Sequence, residues 1–588
     1  MKRMTIAAGI LVLIAAVLLG TAYGFRYEVF QRSLELPHYS HAGGPSRTEW
    51  VAMRDGTRLQ TQIFLPEGTP PFPTVLIRNP YNFANAFAFI CGVFTRYGFA
   101  CVHQDVRGRM GSAGKWVPFA NERADGIDTL EWLTAQSFQD GHIALYGMSY
   151  LAAVQWVLTD ALPPQVKTIV PMVYGVDPYA VGYSGGMFRL EVLTAWAALM
   201  PDDSMHFFNA GAYSRAVRHR PHIESDERFF GERLPWYREW ITHPNRHDPF
   251  WQRDDLQAFR RNPENIDVPV LMIGGWYDLF LPIQLEDFRR LKSRARSRLV
   301  IGPWHHLQRA DRAVPNDFGL GGQWRQVINW LDHHLRNGPL EGPTGAVQWY
   351  AYGRGEWIIN DDLTAPSSPH TYYLDGFATA ATCEGGRLAD TSPASGSASY
   401  RYDPDDPVPG RGGSAMLAFA FKTYEAVQPG PVQINGVCRR KDVLTFVSAP
   451  LTRPLRLVGA PFADLRVTSN APDTAFTAKL IEVRADGTAI HVRDGIRSLA
   501  YRHGRGDGPP APYVPGDTID LRIDLWPIDR TFAVGSRLRI DISSSNFPVY
   551  HAHPNRYGLW STQEEAQIAT NTVLHGSRLT LPIHVEQR

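Results

Sequence analysis

Three polar residues far apart along the chain stand where acyl-transfer chemistry would need them. Ser149 comes two residues after Gly147, at the end of the apolar, strand-like run Ile143-Ala144-Leu145-Tyr146, and a helix-like pattern (Leu151, Val154, Gln155, Leu158) follows at once. A strand that turns sharply into a helix through glycine holds the serine in strained, exposed backbone. The first free amides of the helix lie beside it and can donate to an oxyanion. A serine hydroxyl is a weak nucleophile alone and needs a base, usually a histidine oriented by a carboxylate. Two later apolar runs supply both in the order serine, acid, histidine: the run 268–277 ends in Asp278, and the run 299–304 ends in His305-His306. The spacing around the serine is Gly-x-Ser-x-x-Ala, without the last glycine of Gly-x-Ser-x-Gly, so the ordered placement of three groups carries the reading. The pattern leaves open which of His305 and His306 is the base.

Those groups need a sheet whose strand ends converge. Short apolar runs at 74–78, 100–104, 143–146, 168–173, 268–273 and 298–301 alternate with helical or loop material such as 124–135. That rhythm predicts a mostly parallel sheet covered on both faces. Asp55-Gly56, between the alternating runs 50–53 and 59–65, predicts a hairpin at one edge. From 179 to 262 the strand rhythm stops and helix-like, aromatic-rich stretches (188–199, 203–218, 232–240) predict a cap over the strand ends. After a Pro- and Ser-rich linker at 364–369, strand follows strand (463–468, 476–484, 518–525, 537–543, 579–584), which predicts an all-β sandwich. The domain reading is a hydrolase-type α/β unit at 45–178 and 263–363, a helical cap at 179–262 and a β-sandwich at 370–588.

Composition excludes some classes. With 59 basic and 58 acidic residues in 588, the formal charge of +1 gives no electrostatic footprint for nucleic acid. Two basic residues, Lys2 and Arg3, precede an uncharged apolar run to Phe25. Residues 1–25 therefore read as a signal peptide or an uncleaved membrane anchor, either of which places the remainder outside the cytoplasm, in the periplasm or beyond the cell. The four cysteines form no Cys-x-x-Cys pair, so neither a thiol redox site nor a zinc knuckle is indicated. Cys383 and Cys438 are the expected disulfide, whereas Cys91 and Cys101 read as core thiols at least as readily as a pair. Asp105 and Arg107 read as a local ion pair pinning a loop, and Glu286 and Asp287 as the exposed face of a helix. His551-Ala552-His553 reads as packing or surface residues in preference to a metal pair.

The motifs Met53-Arg54-Asp55-Gly56-Thr57, Arg78-Asn79-Pro80-Tyr81, Gln104-Asp105-Val106-Arg107-Gly108, Gly147-Met148-Ser149-Tyr150, Gly274-Gly275-Trp276-Tyr277-Asp278, Gly302-Pro303-Trp304-His305-His306 and Ser543-Ser544-Ser545-Asn546-Phe547-Pro548 run in order from about residue 47 to the end. In this the chain resembles the CocE/NonD group of serine hydrolases, which includes cocaine esterases and Xaa-Pro dipeptidyl-peptidases. The resemblance implies an α/β-hydrolase domain with a helical cap, then a jelly-roll, galactose-binding-like C-terminal domain. It implies Ser149 as nucleophile, Asp278 as orienting acid and His306 as base, with the phenol of Tyr81 and the backbone N–H of Tyr150 as oxyanion donors and no metal or organic cofactor. Ala152 stands where relatives commonly have glycine, and the methyl is expected to fit. Relatives that act on α-amino esters hold the ammonium with carboxylates soon after the catalytic acid. Asp278 is followed here by Leu279-Phe280-Leu281, so the expected substrate is a small ester with an uncharged acyl group. The alternatives are an Xaa-Pro dipeptidyl-peptidase or amide acylase with the same three residues, and a non-catalytic surface binding module. The oligomeric state is not legible.

Overall fold

The structure, a computed structural model, describes residues 25–201, 210–307, 320–363, 367–378, 380–416, 427–504 and 508–585. The leader expected at 1–25 lies outside the described residues except for Phe25. Among the described residues no helix is long and apolar enough to cross a membrane.

The first unit is a ten-stranded sheet. Its strands are β1 (Gly43–Ala52), β2 (Arg58–Pro66), β3 (Phe72–Asn79), β4 (Ala100–Asp105), β5 (Gln139–Met148), β6 (Val166–Met172), β7 (Leu271–Tyr277), β8 (Arg298–His305), β9 (Ala346–Ala351) and β10 (Glu356–Asn360). They lie in the order β1-β2-β4-β3-β5-β6-β7-β8-β9-β10. β3 to β9 pair in parallel, with antiparallel strands at the two edges, β1 and β2 forming the hairpin read from Asp55-Gly56. β3, β4 and β7 are buried at every position, as a sheet covered on both faces requires. The covering helices are α1 (Arg26–Ser33), α2 (Ala84–Arg96), α3 (Glu122–Thr134) and α4 (Tyr150–Trp156) and, after the cap, α9 (Leu281–Arg290) and α10 (Leu320–Arg336).

The cap inserts between β6 and β7. It begins with a two-residue hairpin, Tyr183–Ser184 against Met187–Phe188, and continues through α5 (Leu190–Leu199), α6 (Ala210–Arg218), α7 (Pro235–Thr242) and α8 (Asp254–Asn265). Its hairpin is held by the C-terminal β-domain. His551 N–H donates to Phe188 O while Phe188 N–H donates to the His551 ring at Nδ1, each at 3.1 Å; Ser498 N–H donates to Gly185 O at 3.0 Å, and a Cβ at Gly186 would lie 2.1 Å from the Tyr501 ring, so only glycine permits this approach. That domain is all-β, with thirteen strands joined through one hydrogen-bonded network. Its strands include β11 (Ser367–Asp375), β12 (Ala475–Val483), β13 (Ala489–Ser498), β14 (Arg537–Ser543) and β15 (Arg578–His584). Buried Asp529 ties the two units together, accepting from Trp349 Nε1 at 2.8 Å on the first sheet while Arg456 pairs with it at 2.6 Å.

Four readings need correction. Residues 367–369, placed in the linker, begin β11 and pair with β15 near the C-terminus, a partner too distant in sequence for local composition to reveal. Cys91 on α2 and Cys101 on β4 form a disulfide, as do Cys383 and Cys438, because α2 packs across β4 and brings the first pair to a Cα separation of 5.2 Å. Arg107 does not pair with Asp105. It bridges Asp55 in the β1–β2 turn and Asp125 on α3, each at 2.6 Å. Asp287 is 1% exposed, accepting from Val176 N–H at 2.8 Å, while its neighbour Glu286 does face solvent. Burial pushes the Asp287 carboxyl up to about 7 against the pull of Arg290 at 3.7 Å.

Candidate active site

β5 ends at Met148 and α4 starts at Tyr150, so Ser149 is the whole of the turn. Its φ of 58° and ψ of −125° lie in a region that costs a non-glycine residue of order 1–3 kcal/mol. The surrounding bonds hold it there: Ser149 N–H donates to Met172 O at 2.9 Å, and its carbonyl accepts from Ala152 and Ala153 at 2.9 and 3.1 Å. At Gly147 a Cβ would meet Leu151 Cβ at 2.4 Å, so this glycine is required by the return of the helix onto the strand. Ala152 is fully buried and its methyl is accommodated.

Asp278 and His306 follow the ends of β7 and β8, which are parallel neighbours. Asp278 is fully buried; its Oδ1 accepts from Phe280 N–H at 2.8 Å and its Oδ2 lies 2.5 Å from His306 Nδ1. That contact places the proton of neutral His306 on Nδ1 and leaves Nε2 as the basic atom. His305 is turned elsewhere, its Nδ1 accepting from Leu307 N–H at 3.2 Å. The choice between adjacent histidines, open in the sequence pattern, is thus geometric.

Tyr81 follows β3. The side chain of Asn79 clamps its backbone, accepting from Tyr81 N–H at 2.9 Å and donating to Tyr81 O at 2.7 Å. Its buried phenol accepts from Trp196 Nε1 at 3.3 Å, and the Ser149 side chain is close enough to act on its ionisation. Burial raises the phenol above its usual range, so it stays a neutral donor. Tyr150 is anchored in turn. Its hydroxyl donates to Glu122 Oε1 at 2.9 Å and accepts from Phe119 N–H at 3.0 Å, while Glu122 faces Arg78 at 3.1 Å with both side chains buried. Burial pushes the Glu122 carboxyl up despite Arg78. Arg78 reaches Gln104 as well, at 3.0 Å. The second and third motifs are therefore joined: they form the frame that aims Tyr81 and Tyr150.

Sequence reasoning missed Glu122 and Arg109. Arg109 is 3% exposed, donates from Nε to Pro80 O at 2.8 Å, and lies over the Trp116 ring at 5.0 Å. Its charge acts on the Tyr81 phenol. Its position just beyond the Gln104–Gly108 motif was the available signal. Around these groups the described surroundings are aromatic: Trp116, Trp196, Trp236 and Trp240 pack ring on ring, Phe119 and Trp196 stack on Tyr150, and Phe280 tilts over His306 at 5.6 Å.

His551 and His553 each use Nδ1 to accept a backbone N–H, from Phe188 at 3.1 Å and Asn555 at 3.0 Å. His553 Nε2 then faces Asp473 at 3.2 Å. The pair is built into the cap contact, and no cluster of three metal-ligating side chains occurs among the described residues.

Residues 55–308 match the X-Pro dipeptidyl-peptidase (S15) family, and residues 342–580 match the X-Pro dipeptidyl-peptidase C-terminal non-catalytic domain. The cocaine esterase of Rhodococcus sp. (strain MB1 Bresler) is 32% identical over 91% of this chain and 97% of its own length. An aminopeptidase from a marine sediment Thaumarchaeota archaeon shares the fold at a TM-score of 0.74, with 24% identity over 93% of this chain and 97% of that one. An α-amino acid ester hydrolase does so at 0.72, with 23% identity over 92% and 97%. With a parallel sheet carrying a serine elbow, a capped site and a C-terminal β-domain, the chain belongs to the CocE/NonD family of serine hydrolases, the group of cocaine esterases and Xaa-Pro dipeptidyl-peptidases.

Proposed function

We propose that the chain hydrolyses small esters whose acyl group carries no positive charge, through an acyl-enzyme on Ser149. In this reading His306 Nε2 takes the hydroxyl proton and Asp278 holds the imidazole in the required tautomer and steadies the imidazolium. The Tyr81 phenol and the Tyr150 N–H receive the oxyanion. The observation that carries it is the contact of Asp278 with His306 at 2.5 Å, past the ends of β7 and β8 at the same edge of the parallel sheet as the elbow that follows β5. The preference for an uncharged acyl group is supported by Leu279, Phe280 and Leu281, all buried, and by the guanidinium of Arg109, which acts on Tyr81. A cation beside the developing oxyanion favours the transition state and repels a substrate ammonium.

Ser149→Ala should abolish turnover and labelling by a fluorophosphonate, with the melting temperature kept. A second reading, release of Xaa-Pro dipeptides by cleavage after proline, is favoured by the family that residues 55–308 match. Paired assays on 4-nitrophenyl benzoate and an aminoacyl-proline anilide decide between them: faster cleavage of the anilide would overturn the ester reading. Export is supported by Lys2 and Arg3 before the apolar run, and by two disulfides of the kind that persist in oxidising compartments. Alkaline-phosphatase fusions after residue 40 test it, since only an exported fusion becomes active.

A further inference from the structure

The C-terminal β-domain reaches the hydrolase sheet at the strand ends that carry the acid and the base. Just past β9, Tyr352 N–H donates to Asp529 O at 3.1 Å and Tyr352 O accepts from Thr531 N–H at 2.8 Å, so the strand Ile528–Phe532 of the β-domain pairs with the hydrolase backbone. Side chains interleave at the same place. Tyr277, the last residue of β7, meets Tyr352 edge-on with ring centroids 5.9 Å apart. Arg493 of β13 lies over the Tyr277 ring at 4.8 Å and reaches the Trp276 ring at 5.8 Å.

Arg493 is an unusual side chain to bury here. It is 3% exposed, and its hydrogen bonds among the described residues go to main-chain carbonyls: Nε and Nη2 donate to Pro527 O at 3.1 and 3.0 Å, and Nη1 to Val492 O at 3.2 Å. Burial pulls the guanidinium below its usual range. Packing alone would be served better by an apolar side chain, because a guanidinium bonded to neutral carbonyls is desolvated without an ion pair to offset it. What the charge adds is attraction to the ring faces, an attraction that strengthens when both partners are out of water.

Tyr277 is where that attraction bears on the chemistry. It immediately precedes Asp278, and across the ladder it pairs with His305, which immediately precedes His306. Between Gly302 and His305 strand β8 carries one residue more than β7, so the backbone ladder is interrupted just where the two strand ends must be held. Side chains and a turn take over: Trp276 Nε1 donates to Tyr350 O on β9 at 2.7 Å, and Asp278 N–H folds back to Gly275 O at 3.0 Å. The Tyr277 ring is thus a handle on both members of the 2.5 Å contact between Asp278 and His306. We propose that Arg493 is a positioning residue for the hydrolytic reaction, fixing Tyr277 from the β-domain and, through it, the spacing of Asp278 and His306. This role rests on Asp278 and His306 serving Ser149 as proposed above. It gives a part in the reaction to a domain whose family is described as non-catalytic.

The test is steady-state hydrolysis of 4-nitrophenyl benzoate by the full chain, with kcat taken per site titrated by a fluorophosphonate so that unfolded protein does not count. Arg493→Met should lower kcat about 10- to 100-fold, up to the loss that a misplacement of about 1 Å can cause, with KM within about twofold of the parent. Arg493→Lys, which keeps a cation over the ring, should recover most of that loss. Tyr277→Leu removes the other half of the contact and should lose a similar factor, which gives a readout if the Met variant fails to fold. Arg456→Met is the control, since it breaks a tie between the same two units at Asp529 and Trp349 on β9. It should lower the melting temperature and leave kcat per site within about twofold. Unchanged kcat in Arg493→Met or Tyr277→Leu, an equal fall in Arg456→Met, or a loss confined to KM would overturn the assignment. Failure of the underlying reading shows separately, as a parent protein that the fluorophosphonate does not label or as labelling kept by Ser149→Ala.

Discussion

Replacing Tyr81 with phenylalanine removes one hydroxyl from the site and leaves its frame in place. The backbone of residue 81 is held by Asn79, and the ring packs beside Phe83 and Tyr150, neither of which needs the phenol oxygen. Losing one of two oxyanion donors costs about 2.7–4 kcal/mol of barrier, a fall in kcat of about 100- to 1,000-fold. KM should move little, because the donor strengthens its bond only as negative charge develops. Trp196 Nε1 loses its acceptor as well, so a modest drop in stability of about 1–3 kcal/mol accompanies the loss. The assay is steady-state hydrolysis of 4-nitrophenyl benzoate, with active-site titration to confirm that the serine is intact. Activity within about tenfold of the parent, or a rise in KM at unchanged kcat, would refute the role of the phenol as an oxyanion donor.

Asp278→Asn should keep the 2.5 Å neighbour but favour the wrong imidazole tautomer, lowering kcat by about 10⁴, a loss measurable by single-turnover kinetics. Removing the Cys383–Cys438 bridge frees a loop 55 residues long and should cost about 4 kcal/mol by chain entropy, against about 3 kcal/mol for the Cys91–Cys101 bridge with its separation of 10, compared by denaturant midpoints of serine variants. Asp287 carries a pKa of about 7 in the fold against 3.8 for the free side chain. The unfolded chain therefore loses this proton first, stability falls as pH rises from about 4 to 7, and the loss is complete above that. Asp287→Asn should match the parent near pH 4 and exceed it at pH 8 in urea unfolding; a constant difference across that range would contradict the assignment.

Much of the hydrolase unit was legible because its determinants are local. Buried parallel strands read as unbroken apolar runs, Asp55-Gly56 specifies its own hairpin, and Gly147 before Ser149 marks a turn whose geometry only a few residues allow. The order serine, acid, histidine follows from which strand each residue ends. The sequence alone also determined that the β-domain would be built of short alternating strands.

Tertiary structure decided which side chains meet. His305 and His306 are equivalent in pattern, and only the folded geometry at the end of β8 directs one of them to Asp278. Arg107 found Asp55 and Asp125 in place of its neighbour, Asp287 turned inward while Glu286 turned out, and Cys91 reached Cys101 because a helix lies across a strand. Glu122 has no sequence signature, since it gains its meaning from groups brought close by folding. Local backbone preference is written residue by residue, whereas contact between distant side chains depends on the packing of whole elements, which no short window of sequence contains.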